Sequence, residues 1–305
     1  MLQPLHQNNL ENLRVMQQAT RGWISELTWS PDGRLFACAS AGGIAIWVGS
    51  LDGRQVFIKN ADAPFKSVAF APNSATLASG SADTSVQVWD LRAYRVDMPP
   101  VQTYHAHSGA VEKVVVAHNG AVVSGGTDHL VYIYTANGVH ALQDATDEIT
   151  ALALSSDHRW LAVGSQDRHI RLYDFTTHAL LHDWEAHYGA VSALQFHTDS
   201  NTHTFLSASR DGSVKLWDVE SGQIEVPFES GGDVRTAVFA GQGELIVAGT
   251  QAGMLCFWDI RTGEKRLEQV AHAKPVVALA SHPHGKALAS GGGDNKILWW
   301  GIPTD

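Results

Sequence analysis

The chain of 305 residues carries 31 acidic and 21 basic side chains, a net charge of −10, and 44% of it is hydrophobic. That is enough apolar material for a sizeable buried core, while the acidic balance works against nonspecific binding to nucleic acid or an anionic membrane. Cys38 and Cys256 sit singly inside apolar runs and give no disulfide framework. No run approaches the roughly 18 apolar residues that span a bilayer, so no membrane insertion is expected. The first residues lack a charged leader followed by an apolar stretch, and a cytoplasmic protein is the expectation.

In chain order, residues 1–11 read as an amino-terminal arm or short helix. "NLRVMQQ" (12–18), apolar at Leu13 and Val15, is long enough for one strand. "SPDG" (30–33) and "APNS" (71–74) are turns. "LASGSADTSVQVWD" (77–90) places Asp83 six residues ahead of Trp89, and "LSASRDGSVKLWD" (206–218) places Asp211 six ahead of Trp217. Around the second of these lie four short strands, "AVSALQF", "TFLSAS", "VKLWDV" and "QIEVPF", parted by "HTDSN", "RDG" and "ESG". After Trp300 only "GIPTD" remains.

The same unit recurs seven times, with its aromatic at Trp47, Trp89, Tyr134, Tyr173, Trp217, Trp258 and Trp300. Successive spacings are 42, 45, 39, 44, 41 and 42 residues. Six residues ahead of each aromatic stand Ala41, Asp83, Asp128, Asp167, Asp211, Ala252 and Asp294. A four-stranded antiparallel sheet repeated in this way covers both its faces only by stacking on its neighbours, and the radial solution is a propeller. The sequence therefore predicts an all-β, seven-bladed β-propeller, one domain over 1–305. The seventh unit has no outer strand of its own. Residues 12–18 are expected to supply it and close the ring, since an open edge is a liability; 1–11 are expected to lie outside the ring.

The dipeptides Trp89-Asp90, Trp217-Asp218 and Trp258-Asp259, the variant Tyr173-Asp174, and the Ala-His pairs at His107, His187 and His272 give the chain its family likeness. It resembles the WD40-repeat β-propellers over almost its whole length. The resemblance implies a hydrogen-bonded His, Ser, Asp and Trp chain bracing each blade: His187, Ser207, Asp211 and Trp217 in the fifth, His272, Ser290, Asp294 and Trp300 in the seventh. The third would use His107, Ser124 and Asp128, with Tyr134 in place of Trp, and the second Ser79, Asp83 and Trp89. Val163 takes the Ser position in the fourth. Ala41 and Ala252 leave the first and sixth without the turn Asp, and those blades are expected to be the softer ones.

The resemblance further implies a non-catalytic protein–protein interaction scaffold or adaptor that docks a partner on one rim. Its contact positions flank the first apolar residue of each innermost strand (Ile24, Phe65, Val111, Ile149, Val191, Val234, Val276) or precede the turn Asp. They supply Trp23, Lys66, Glu112, Glu148, Gln166, Arg210, Asp233, Arg235 and Gln251. Of these, Trp and Arg are the types that dominate interface energies. The charges of both signs suit a protein or peptide segment of mixed charge. The opposite rim, with "YRVDMPPVQTY" and "FHTDSNTHTF", is the rival docking face.

Three alternatives belong to other classes: a small-molecule- or metal-binding sensor, a propeller enzyme using the central channel, and a nucleic-acid-associated protein. No phosphate-binding loop, nucleophile elbow or zinc-protease motif occurs, and "SGGGDN" (290–295) is a blade turn in register. The pairs His105/His107 and His282/His284 lack third and fourth ligands at a recognisable spacing. The recurrence of His-Ser-Asp in several blades marks it as bracing, not a catalytic triad. No catalytic set, metal or cofactor is expected.

Overall fold

A computed structural model describes residues 2–59, 63–93, 98–199, 202–222 and 224–304. After β1 (Leu2–Gln3) and β2 (Arg14–Thr20), the first blade holds β3 (Ile24–Trp29), β4 (Leu35–Ser40), β5 (Gly43–Val48) and β6 (Gln55–Lys59). The second holds β7 (Phe65–Phe70), β8 (Thr76–Ser81), β9 (Val86–Asp90) and β10 (Gln102–Tyr104). The third holds β11 (Val111–Val116), β12 (Val122–Gly126), β13 (Val131–Thr135) and β14 (Gly138–Leu142). The fourth holds β15 (Ile149–Leu154), β16 (Trp160–Ser165), β17 (His169–Asp174) and β18 (Leu180–Glu185). The fifth holds β19 (Val191–Phe196), β20 (Thr204–Ser209), β21 (Ser213–Asp218) and β22 (Ile224–Glu229). The sixth holds β23 (Val234–Ala240), β24 (Leu245–Thr250), β25 (Met254–Asp259) and β26 (Lys265–Val270), and the seventh β27 (Val276–Ser281), β28 (Ala287–Gly292) and β29 (Lys296–Pro303). Within each blade the strands pair antiparallel in sequence order.

Burial follows position in the blade. The second strands β4, β16, β20, β24 and β28 are buried at every residue, because a neighbouring blade covers each face. The outermost β18 and β26 alternate between exposed and half-buried residues. Apolar side chains gather into seven clusters, each lying between two adjacent blades. The core is thus a ring of seams, and no blade buries its apolar faces without both neighbours.

The ring closes through the amino terminus. β2 pairs antiparallel with β29, Arg14 opposite Gly301 through Thr20 opposite Lys296. This closing strand lies two residues later than the 12–18 read from apolar content, because pairing to β29, not hydrophobicity, sets its ends. The arm before it does not stand outside the ring. β1 pairs with the last residues of β29, the Leu5 amide donates to the Gly285 carbonyl at 2.8 Å, and Leu5 and Leu10 are buried in the seam between the sixth and seventh blades. Three leucines (Leu5, Leu10 and Leu13) pack in that seam.

Each innermost strand opens with a register shift. It falls between Ile24 and Glu26, Phe65 and Ser67, Val111 and Lys113, Ile149 and Ala151, Val191 and Ala193, Val234 and Thr236, and Val276 and Ala278. One residue is therefore left out of the ladder at the same place in every blade: Ser25, Lys66, Glu112, Thr150, Ser192, Arg235 and Val277. A bulge of this kind bends the strand and re-aims a side chain. Four of these residues, Ser25, Ser192, Arg235 and Val277, line the central channel, a cavity of about 440 Å³ bounded by the innermost strands.

Candidate docking rim

The braces fix this rim, so their geometry comes first. In the fifth blade the Trp217 indole N–H donates to Ser207 Oγ at 2.8 Å, Ser207 Oγ lies 2.7 Å from His187 Nε2, and His187 Nδ1 lies 3.2 Å from Asp211 and 3.0 Å from Ser213 Oγ. A neutral imidazole with its proton on Nδ1 satisfies every partner: it accepts from the serine and donates toward the carboxylate. Burial pushes the His187 pKa down to about 4, against the opposing pull of Asp211. Asp211 also accepts from the Ser213 amide and hydroxyl and from the Tyr188 amide at 2.8 Å; these bonds overcome its burial and hold its pKa at about 2.

The seventh blade repeats the chain, with Trp300 to Ser290 at 2.9 Å, Ser290 to His272 at 2.8 Å and His272 to Asp294 at 2.9 Å. In the third, His107 lies 2.7 Å from Ser124 and 2.9 Å from Asp128. Tyr134 ends that chain with a buried hydroxyl that has no hydrogen-bond partner among the described residues.

Each Asp also sets its turn. The residue that follows it is in the left-handed region: Thr84, His129, Arg168, Gly212 and Asn295, with φ from 67° to 95°. The carboxylate accepts from the amide beyond, at Ser85, Leu130, His169, Ser213 and Lys296. This is the Asx-turn logic that offsets a backbone conformation unfavourable to most side chains.

The second blade departs from the expected pattern. Asp83 accepts from the Ser85 amide and hydroxyl, but Ser79 Oγ and Trp89 Nε1 are buried without a hydrogen-bond partner among the described residues. Three residues of the set are present and the chain does not form. Where His107 and His187 stand four residues ahead of Val111 and Val191, the position four ahead of Phe65 is Ala61, which brings no imidazole to the serine; position 61 lies outside the described residues.

The fourth blade uses a different brace. Arg171, buried, lies beside Val163 and sets its guanidinium 2.9 Å from Asp167 and 3.4 Å from Asp183, and the Tyr173 hydroxyl donates to Asp144 at 2.9 Å. In the first blade the hairpin from Ser40 to Gly43 has only Ala41 and Gly42 at its tip, shorter than the turns that carry Asp. Cys38 takes the serine position, buried with its thiol pushed up to about 12, and the Arg21 guanidinium lies 4.8 Å over the Trp47 ring. In the sixth, Ala248 takes the serine position opposite the likewise buried Cys256.

The candidate docking residues stand where the innermost strands begin and the second strands end, and antiparallel pairing puts both at one rim. Trp23 is 68% exposed and is not covered by the arm. Gln166, Arg210, Asp233 and Gln251 are exposed, while Lys66, Glu112, Glu148 and Arg235 are half-buried. Lys66 and Glu112 pair with each other at 3.0 Å, so neither is a free charge. Lys113 of the third blade pairs with Glu26 of the first at 2.6 Å.

One exposed residue escaped the sequence reading. Tyr188, in the loop before β19, is 92% exposed, held by its own amide to Asp211. The signal was an aromatic directly after the bracing His187, outside the flanking positions considered. The segments read as the rival docking face include residues 94–97 and 200–201, which lie outside the described residues. Among the described residues no group of three or more His, Cys, Asp or Glu is placed to hold a metal ion, and no helix is long and apolar enough to cross a membrane.

A ring of seven four-stranded sheets, each with a bulge at the start of its innermost strand, defines a β-propeller built to present a rim. The family model for the WD domain, G-beta repeat, matches residues 11–47, 54–90, 98–135 and 263–301, and that for the nucleolar protein 10-like N-terminal domain matches 129–246. The chain belongs to the WD40-repeat β-propeller family. It is 24% identical to a guanine nucleotide-binding protein subunit beta of Arabidopsis thaliana over 94% of this chain and 82% of that protein. It is 26% identical to striatin of Homo sapiens over 78% of this chain, but spans only 35% of that longer protein. Among solved structures, a chain of a mitotic checkpoint complex superposes with a TM-score of 0.86 at 18% identity, covering 95% of this chain and 92% of that one.

Proposed function

We propose that this propeller is a non-catalytic interaction platform that docks a protein or peptide segment of mixed charge on the rim bearing Trp23, Tyr188, Arg210 and Arg235. The observation that carries the reading is the exposure of two large aromatics, Trp23 at 68% and Tyr188 at 92%, on the rim where the bulged residues converge. Trp, Tyr and Arg are the residues in which interface energy concentrates. The similarity to proteins named as a subunit and as part of a complex supports it. The net charge of −10 favours protein partners over nucleic acid, and a cytoplasmic setting fits two unpaired thiols.

The test is a quantitative pull-down from lysate with the wild type and a Trp23→Ala, Tyr188→Ala double variant, with melting curves on both. Loss of a wild-type partner by the folded variant supports the rim. Identical partners for both proteins remove it, and a wild type that retains nothing leaves the platform reading without its principal support.

A further inference from the structure

The seven bulged side chains do not end alike. Ser192 Oγ donates to the Val234 carbonyl of the next blade at 2.8 Å, and Thr150 Oγ1 donates to the Val191 carbonyl. Lys66 and Glu112 neutralise each other. Just inside, Glu26 takes the Lys113 ammonium, the Ser67 hydroxyl and the Val68 amide. From the second blade to the fifth, the bulged polar side chains are thus each tied to a neighbouring blade. Arg235, the remaining charged member, lines the channel without a carboxylate in ion-pair range among the described residues.

Its surroundings make that arrangement costly. Arg235 is half-buried, and an arginine cannot shed its charge to escape. Burial disfavours its charged form, the Arg210 guanidinium opposes it further, and Asp233 offsets this only in part. Arg210 is likewise without an ion-pair partner among the described residues. The loops around the pair are set by backbone bonds: the Arg210 amide donates to Ala190, and the Ser230 amide and hydroxyl donate to Gly212. The Tyr188–Ala190 loop, the Arg210–Gly212 turn and the Ser230–Asp233 loop are therefore tied together just ahead of β23, which carries Arg235, and Tyr188 at the head of the first is exposed.

We propose that the channel mouth between the fifth and sixth blades is a carboxylate-binding pocket, in which Arg210 and Arg235 grip an aspartate or glutamate side chain of a segment docked on this rim. The two guanidiniums are answered by the Asp233 carboxylate and by an Asp211 carboxylate already held by His187, Ser213 and Tyr188, so the pair has room for a single added negative charge at most. A phosphate dianion would overshoot. Guanidinium forks match a planar carboxylate by paired, charge-assisted hydrogen bonds, and the partly desolvated setting strengthens them relative to bulk water. The apolar residue beside the acidic one would lie on Tyr188. The inference rests on the platform reading and specifies what one part of its rim recognises.

The test uses the full chain and an array of short peptides in neutral Gly, Ser and Ala surroundings, with Leu-Glu-Leu, Leu-Gln-Leu, Leu-Lys-Leu or Leu-phosphoserine-Leu at the centre. The Glu peptide is expected to be retained about tenfold better than the Gln peptide, a preference that shrinks with added salt. Arg235→Gln and Arg210→Gln each abolish the preference, and Asp233→Asn increases it. Because the pair is repulsive without a ligand, Arg235→Gln leaves the melting temperature unchanged or raises it. Equal retention of Glu and Gln peptides, no retention of either, or a marked drop in melting temperature for Arg235→Gln overturns the assignment. Preference for the phosphoserine peptide overturns it in favour of a dianion pocket. If the Arg variants keep every partner that the Trp23 and Tyr188 variant loses, this pocket fails while the platform stands.

Discussion

The second and fifth blades carry Ser, Asp and Trp at matching places, Ser79, Asp83 and Trp89 against Ser207, Asp211 and Trp217, yet only the fifth joins them. His187 is the difference. Its two ring nitrogens connect the serine under the tryptophan to the turn carboxylate, two groups that lie too far apart to meet unaided. In the second blade the same serine and indole are orphaned, and the aspartate serves its own turn alone. A motif of four residues is therefore not four independent contributions. Without the histidine, the serine and indole become buried polar groups that oppose folding.

The largest way to break the comparison is to remove the carboxylate. Asp211→Ala strands the Ser213 and Tyr188 amides and frees His187 from its partner, and should lower unfolding free energy by about 3 kcal/mol, since each buried donor left unsatisfied costs about 1–3 kcal/mol. Asp83→Ala, which touches only its own turn, should cost about 1 kcal/mol. Denaturant melts of the two variants check the ratio, and equal losses would refute the role assigned to the histidine.

Acid should act on the same part. The folded pKa of His187 is held at about 4, below its ordinary 6.5, so the unfolded chain binds the proton first. Its contribution is intact above pH 6.5 and is lost as pH falls toward 4, with a limit on the order of 3 kcal/mol. His107 and His272 are lowered in the same direction, by burial first. Below that range the depressed Asp211, Asp128 and Asp294 add a further loss as they protonate. Unfolding free energy measured from pH 7.5 to 4.5 should fall, and His187→Gln should flatten the slope at some cost at pH 7.

The serines give a sharper, smaller contrast. Ser207→Ala removes the acceptor of the Trp217 N–H and the donor to His187, and should cost about 2 kcal/mol. Ser79→Ala removes a hydroxyl that is buried without a partner, and should be neutral or stabilising by up to about 1 kcal/mol. A loss at Ser79 comparable to that at Ser207 would mean that the second blade has a chain after all.

The fold was legible because a repeat multiplies its own signal: a turn Asp six residues ahead of an aromatic means little once and fixes an architecture when it recurs. The exceptions were less readable, because they depend on side chains meeting across strands. Arg171 belongs to no recurring motif of the sequence, and only its place between Asp167 and Asp183 makes it the fourth blade's brace. The arm, expected outside the ring with 12–18 as the closing strand, packs instead through Leu5 and Leu10, whose partner surface exists only when the sixth and seventh blades meet. At the rim, the positions beside Ile24 and its counterparts could be located from spacing, whereas which charges are already paired could not. Lys66 and Glu112 are read alike with Arg235 in the sequence and differ in the fold by having each other.

The smallest test concerns the turn. Thr84 in the second blade and Gly212 in the fifth occupy the same left-handed position, at φ 74° and 95°. A β-branched residue is poorly suited there, by about 1–2 kcal/mol, while glycine relieves that strain at an entropic cost of about 0.5–1 kcal/mol. Thr84→Gly should therefore stabilise the protein by about 0.5 kcal/mol, visible as a small upward shift in melting temperature. Gly212→Thr should do the reverse: its φ of 95° strains a β-branched residue, while the position an added Cβ would take lies at ordinary contact distance, 3.4 Å, from the Gly232 carbonyl oxygen. A stabilising Thr84→Gly would show that the second blade tolerates a poorer turn residue because Asp83, relieved of any imidazole, holds the turn alone. A destabilising one would mean that the Thr84 side chain contributes a contact of its own, and the two turns would then be alike in shape but not in what maintains them.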